Sequence, residues 1–154
     1  MLAGYVRKWL EVNGVPKEVK KIVGYCINKE NGKVFYGWDE DVITTMVAYH
    51  MAKKTISVIY KDEEVTGVHM WYNCDYTDDY SFIENWEEDK KDGDTIFLAF
   101  LFADDSDVIK LLIHDFIAKE PNMLTKKLVA MRERGGYPTR IDVPLKGFVK
   151  ALKR

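Results

Sequence analysis

Nine consecutive residues near the middle of the chain, Thr95–Ala103 (TIFLAFLFA), carry no charge and only one hydroxyl group. Gly93 lies shortly before this run and Asp104 follows it directly. An uncharged segment this short and this sharply bounded is typical of a strand that is buried on both faces. It is also too short to span a bilayer. It therefore predicts the central strand of a sheet.

A β-α-β unit is predicted around this strand. Four residues with helix-starting chemistry follow it: Asp104, Asp105, Ser106 and Asp107. Apolar residues then recur at helical spacing, and these are Val108, Leu111, Leu112 and Phe116. Pro121 ends the helix, and a second short strand is predicted from Lys127 to Met131. Because β-α-β connections are short and right-handed, we expect the two strands to be adjacent and parallel.

The length of 154 residues predicts a single domain, residues 1–154, of the α+β class with an α/β-like core. The periodicity predicts further elements, in chain order: a helix at 3–12, a helix from Pro16 to Asn28, a short strand from Lys33 to Trp38, a helix from Asp39 to Lys53, a hairpin of Thr55–Tyr60 and Val65–Cys74 with a charged loop, a helical turn from Tyr80 to Glu88, an edge strand from Ile141 to Val143 and a basic helix from Leu145 to Leu152.

Charge is unevenly distributed, although the net charge is only −2. Residues 61–94 contain twelve acidic and three basic side chains, and residues 126–154 contain nine basic and two acidic ones. The two segments therefore carry −9 and +7. One interpretation is that they solvate separate faces or pair with each other. The other is that the basic C-terminal extension, about residues 135–154, recognises a nucleic acid or an acidic protein.

The two cysteines, Cys26 and Cys74, lack the spacing of a metal site or of a CxxC motif. We interpret both as reduced thiols of a cytoplasmic protein, with a structural disulfide as the alternative. The N-terminus has no signal-peptide pattern. No zinc spacing, Walker sequence or Ser/His/Asp arrangement is recognisable, and we expect no metal.

The predicted order of N-terminal helices, hairpin, central strand, helix and parallel strand resembles the GNAT family of N-acetyltransferases. Within that family, DKKDGDTIFLAFLFA resembles the WxxGD-like entry to the central strand, and VAMRERGGYP resembles the FR-type end of the next one. Both motifs are similar to those of small bacteriophage GNAT-like proteins and of toxin-activating lysine acyltransferases. The resemblance covers roughly residues 39–137.

The resemblance implies a mixed sheet whose two parallel strands splay apart to admit acyl-CoA, such as acetyl-CoA. The acyl group would pass to an amine on a small molecule or a protein. Carried over onto this chain, the cofactor-binding residues are Phe100, Phe102, Ala103 and Ser106. About twenty residues follow the second parallel strand, so we expect the C-terminal part of the family fold to be truncated.

One departure from the family concerns the phosphate-binding loop. The glycine-rich Q/RxxGxG/A loop of the family is replaced here by ADDSD. A helix N-terminus attracts phosphate, but carboxylates about 5 Å from a phosphate repel it by roughly 1 kcal/mol each even when solvated. We therefore expect diphosphate binding to be weakened.

Two residues are candidates for proton transfer in acyl transfer. His69 lies in the second hairpin strand and is the candidate base, and Tyr137 follows a double glycine and is the candidate proton donor. The alternatives are that His69 packs against Trp71 and that Tyr137 anchors a turn. His50 is interpreted as a packing residue and His114 as a surface residue. Two functions follow, an acyltransferase and a binding or assembly protein that has lost the chemistry.

Overall fold

The computed structural model describes residues 2–28, 35, 37–75, 92–134 and 137–143, and for residues 2, 3, 131–134 and 137–140 it describes the backbone. These residues form an α+β fold, as predicted. The elements are α1 (Leu2–Asn13), α2 (Lys17–Cys26), α3 (Glu40–Lys53), β1 (Ile56–Lys61), β2 (Glu64–Cys74), β3 (Thr95–Ala103), α4 (Ser106–Lys119), a 3₁₀ helix (Pro121–Thr125), β4 (Lys127–Arg134) and β5 (Tyr137–Asp142). No helix in the described ranges is both long and apolar enough to span a bilayer.

The five strands form one mixed sheet in the order β1-β2-β3-β4-β5. The pairs β1–β2, β2–β3 and β4–β5 are antiparallel, whereas β3 and β4 are parallel and adjacent. The β-α-β unit predicted from the uncharged run is therefore confirmed, and the bounds of the central strand match the prediction. The edge strand β5 is also confirmed, although it begins four residues earlier than Ile141.

Helices cover both faces of the sheet. On one face α2 and α3 pack against β2 and β3 through residues such as Ile22, Met46 and Phe97. On the other face α4 packs against the sheet through Phe116, which contacts Trp71 edge-on with ring centroids 4.8 Å apart. Helix α4 thus forms the crossover between β3 and β4 and covers a smaller second core, which the sheet separates from the first.

A bulge in β3 determines which of its aromatic side chains share a face. The register of β2 and β3 shifts between Met70 and Trp71, so that Ala99 is skipped in the pairing. Without the bulge, Phe97 and Phe100 would point to opposite faces, because strand side chains alternate. With it, both lie in the first core and Leu101 points toward the α4 side.

The hairpin between β1 and β2 is tighter than predicted. Only Asp62 and Glu63 connect the strands, with φ angles of 52° and 69°. Positive φ at both central residues is the geometry of a type I′ turn, which matches the twist of the flanking strands. The charged residues on either side, Lys61 and Glu64, belong to the strands because they pair with each other.

Three other predictions were wrong in part. The segment around Phe35 and Trp38 is not a strand where it is described, because Trp38 N–H donates to the Phe35 carbonyl in a tight turn. Leu111 is 52% exposed and Ile113 takes the buried position on α4. Helix α2 ends at Cys26 and not at Asn28. The turn predicted at 80–88 and the helix predicted at 145–152 lie outside the described residues.

Gly67 allows α4 to approach β2 closely. A Cβ atom at this position would clash with Cγ1 of Val108 and lie 3.1 Å from Cδ1 of Leu112. We therefore expect Gly67→Ala to lower the free energy of unfolding by about 1–3 kcal/mol, the usual cost of overpacking. Urea unfolding measured by circular dichroism tests this.

Gly24→Ala is the matched control, since a Cβ atom at Gly24 meets no atom within 4 Å and the residue lies inside α2. This control should stabilise the protein by about 0.5–1 kcal/mol, because alanine favours the helix. Equal stability of the Gly67→Ala variant and the wild type would contradict the close packing of α4.

Candidate functional site

The parallel strands β3 and β4 part halfway along their length. They pair from Thr95 and Lys127 to Leu98 and Ala130, and the pairing stops there. Beyond that point β3 continues to Ala103 in register with β2 alone, and β4 continues with β5 alone. We call the gap between residues 99–103 and residues 131–134 the β3–β4 cleft. Among the described residues no strand pairs with this edge of β3 beyond Leu98.

The four predicted cofactor-binding residues do not all face this cleft. Phe100 and Phe102 are buried in the first core, where their rings lie 4.9 and 5.9 Å from that of Phe35. Only their backbones follow the edge of the cleft. Ala103 is partly exposed at the end of β3, and Ser106 is exposed in the first turn of α4. The structure therefore brings Ala103 and Ser106 to one end of the cleft.

Leu101 is an apolar side chain at the cleft that the sequence did not single out. It is 43% exposed, although both neighbours, Phe100 and Phe102, are buried. It points to the face of the sheet that α4 covers, beyond the last residue that pairs with β4. Nine apolar residues in a row give no alternation from which its exposure could be predicted. The prediction of burial on both faces holds for most of β3 and is wrong for Leu101.

Carboxylates occupy the start of α4, next to the cleft. Asp105 caps the helix, as predicted, by accepting a hydrogen bond from the Val108 N–H at 3.0 Å. Oδ1 of Asp104 accepts one from the Tyr25 hydroxyl at 2.9 Å, which ties β3 to α2. A helix N-terminus attracts anions through its free N–H groups, and here one of those groups already binds a carboxylate.

His69, the candidate base, is a core residue with an exposed fraction of 1%. Its ring lies between Trp71 and Phe116, with centroids 5.0 and 5.2 Å away, and neither ring nitrogen has a hydrogen-bond partner in the described part of the chain. Burial, and secondarily the nearby His50, lowers the pKa of His69 to about 3. The imidazole is therefore neutral at pH 7, and its role as a base stays a prediction.

The other candidate residues are placed differently. Tyr137 begins β5 opposite Arg134, and the structure describes its backbone, so its role as a proton donor also stays a prediction. His50 is fully buried and its Nδ1 lies 2.8 Å from the Thr55 hydroxyl, which confirms it as a packing residue. His114 is exposed, as predicted.

A polar cluster beside His69 was missed in the sequence. Ser57 pairs with His69 across β1 and β2. Its buried hydroxyl forms no hydrogen bond in the described chain but is near enough to Asp115 of α4 to lower the pKa of that carboxyl. Lys119 forms an ion pair with Asp115 at 2.8 Å and donates to the Ile56 carbonyl at 2.7 Å. Burial raises the pKa of Asp115, but Lys119 and Ser57 together outweigh it and the pKa is lowered. The i, i+4 spacing of Asp115 and Lys119 was visible in the sequence, but their position over β1 was not.

The comparisons leave the family of this chain open: no protein-family model matches it, and neither does any curated protein. In the described ranges no group of three or more His, Cys, Asp or Glu side chains is arranged to hold a metal ion. Cys26 and Cys74 are both thiols rather than a disulfide. The cleft, the carboxylates at the start of α4 and the cluster around His69 are therefore the features from which function is argued.

Because His69 is buried, we expect the free energy of unfolding to fall at acid pH. Its pKa is about 3 in the folded protein and about 6.5 in the unfolded chain, which therefore binds the proton first as the pH falls. The free energy of unfolding should be unaffected by this group above about pH 6.5 and should fall by about 2 kcal/mol by pH 5. Urea unfolding across this pH range measures the loss.

His69→Leu should remove this part of the pH dependence without a large cost at pH 7, because the histidine makes no hydrogen bond within the described chain that leucine would lose. His114→Gln is the matched control and should leave the dependence unchanged, since the side chain is exposed. An equally steep loss of stability in the leucine variant would show that another group takes up the proton.

Proposed function

We propose that this protein is a GNAT-type acyltransferase that binds an acyl thioester in the β3–β4 cleft and transfers the acyl group to an amine. The observation that carries the proposal is the parting of two parallel strands after Leu98 and Ala130, directly before the helix that begins at Ser106. Ligands of sheets with parallel strands bind beyond the carboxyl ends of the strands. The relation to small bacteriophage GNAT-like proteins and the cytoplasmic location belong to the same proposal.

The chemistry of the cleft fits the pantetheine arm of acyl-CoA. This arm carries two amide groups, which need hydrogen-bond partners when they leave water. From Ala99 to Ala103, β3 pairs with β2 on one side, and no described strand pairs with the side that faces β4. Leu101 supplies an apolar surface at the same place. The arm would therefore bind much as an added strand does.

The fit is poorer for the diphosphate of CoA. Asp105 already accepts a hydrogen bond from an N–H group of α4, and Asp104 and Asp107 add negative charge beside it. We therefore expect the thioester and pantetheine to contribute most of the binding energy. A thioester without the diphosphate should bind about as well as acyl-CoA itself.

In the transfer step the amine nitrogen bonds to the thioester carbonyl carbon and the carbon–sulfur bond breaks. The thiolate leaves. The proton that the amine nitrogen loses is finally bound by the thiolate sulfur, which gives the free thiol. His69 is neutral at pH 7 and has two nitrogens without a partner in the described chain, so it is in the protonation state of a base. Because α4 covers it, it would act only if α4 or a neighbouring segment opened. Tyr137 is proposed as the proton donor.

The test measures the thermal shift of the purified protein with acetyl-CoA, a long-chain acyl-CoA and the matching acyl-pantetheine. A ligand that binds the folded state at a hundredfold excess over its Kd stabilises it by about 2.7 kcal/mol. Leu101→Arg should abolish the shift, because it places a long cation at the cleft while changing a side chain that is already 43% exposed. Leu124→Arg is the matched control, since Leu124 is 62% exposed on the 3₁₀ helix.

Two results would count against an acyl-thioester site. One is the absence of any shift with all three compounds. The other is a shift that the Leu101→Arg and Leu124→Arg variants retain equally. Binding without release of free thiol on a panel of amines would support the fold and exclude the transfer reaction for those amines.

A second candidate function is a binding or assembly protein without catalysis. The carboxylates at the start of α4 and the net charge of +7 over residues 126–154 favour it. Its partner would be a nucleic acid or an acidic protein, which binds basic segments through salt-sensitive contacts. Binding of a single-stranded oligonucleotide, followed by fluorescence anisotropy, should weaken steeply between about 50 and 200 mM salt. No binding at the lowest salt concentration would contradict this function.

A further inference from the structure

Strand β1 is an edge of the sheet, and its outer side has a defined hydrogen-bonding pattern. The carbonyl of Thr55 accepts from the Trp71 N–H at 3.2 Å, so Thr55 turns toward β2. In an antiparallel pair the residues alternate between facing the partner and facing away. With the register of β1 and β2, Ile56 and Val58 must therefore direct their N–H and C=O groups outward. The 2.7 Å contact from Lys119 Nζ to the Ile56 carbonyl shows this orientation directly.

A groove of about 590 Å³ runs along this edge. One wall is the end of α3, with Met51 and Lys54, and the other is α4, with Asp115 and Lys119. Side chains of β1 form its floor. Among the described residues no strand occupies the outer edge of β1. The edge is thus recessed between helices that cover the two faces of the sheet.

We propose that this groove binds an extended peptide segment of another protein, which adds to the sheet as a strand beside β1. Only an extended main chain repeats donors and acceptors at the spacing that Ile56 and Val58 present. A second copy of this chain does not fit, because its β1 is recessed between its own helices and two recessed edges cannot meet. The occupant is therefore a segment that is not itself part of a folded sheet.

The walls of the groove define the side chains that such a segment would carry. Met51 and the partly buried Val58 offer apolar surface on the floor and the α3 side. The ammonium of Lys54 has no ion-pair partner in the described chain and follows the last turn of α3. We expect β-branched residues that alternate with polar ones, and a carboxylate that reaches Lys54.

Lys119 protects the edge while the groove is empty. Its ammonium satisfies the Ile56 carbonyl and is itself held by Asp115, at 2.8 Å. Natural proteins commonly protect edge strands with lysines. An incoming strand must displace this contact, so Lys119 should weaken peptide binding and its removal should strengthen it.

The test uses a synthetic, end-capped peptide of alternating valine and threonine that ends in glutamate. Isothermal titration calorimetry measures affinity, and hydrogen exchange measures protection of the Ile56 and Val58 amides. We expect saturable binding with slower exchange at these two amides. The same peptide with every amide N-methylated is the matched control and should not bind, because it cannot donate to a strand.

Two variants should change the affinity for the peptide in opposite directions. Val58→Pro removes an outward N–H that β2 does not use, which an edge strand tolerates, and should weaken binding by ~10-fold or more. Lys119→Met keeps the length of the side chain, releases the Ile56 carbonyl and should strengthen binding severalfold. If the proline variant fails to fold, the strengthening by Lys119→Met still decides the question.

Three results would overturn the proposal. The first is no protection of the Ile56 and Val58 amides at millimolar peptide. The second is equal binding of the N-methylated peptide, which would show contact through side chains alone. The third is protection of the same amides by dimerisation of the protein without peptide, seen by light scattering, which would assign the edge to a second copy. None of these results depends on acyl-thioester binding at the β3–β4 cleft.

Discussion

The packing of α4 against the sheet is the contact on which the rest of the structure depends. Phe116 meets Trp71 edge-on, and Gly67 leaves the room that Val108 and Leu112 need. This contact returns the chain across the sheet, so that β4 pairs beside β3 and in parallel. It also covers His69 and Ser57, and it places Lys119 over the edge of β1. The cleft, the buried histidine and the protected edge are three consequences of one helix position.

The bulge at Ala99 is the second constraint, since it decides what the cleft contains. Phe97, Phe100 and Phe102 all reach the first core only because the strand skips one residue in its pairing. The same shift turns Leu101 toward α4, beyond the point where β3 stops pairing with β4. A regular strand would have placed Phe100 and Phe102 on the face that α4 covers.

The sequence predicted the central strand, the crossover helix and the parallel pair, because each leaves a local pattern: an uncharged run, helix-starting aspartates and a second apolar stretch. It did not predict the two-residue turn at Asp62 and Glu63, because glutamate is not a residue that the second position of such a turn, with its positive φ, usually selects. It could not predict the bulge, since a strand that is apolar throughout has no alternation to interrupt.

In the candidate site, too, the features that depend on neighbouring residues were predicted and those that depend on distant segments were not. Asp105 was predicted as a cap because capping needs only a residue and its next few neighbours. The pairing of Ser57 with His69, and the position of both near Asp115, requires three separate segments to meet. The sequence of any one segment does not indicate the other two. The relation of the chain to the GNAT family stays a prediction.

Both proposed binding sites use backbone rather than side-chain chemistry. The upper half of β3 and the outer edge of β1 each present N–H and C=O groups that no described strand pairs with. The protein treats the two edges differently. At β1 the ammonium of Lys119 binds the Ile56 carbonyl. At the end of β3 the carboxylate of Asp105 caps α4, and no described strand pairs with the edge of β3 beyond Leu98. The two proposed sites would need few distinctive side chains, in keeping with a sequence that indicates a scaffold more clearly than a reaction.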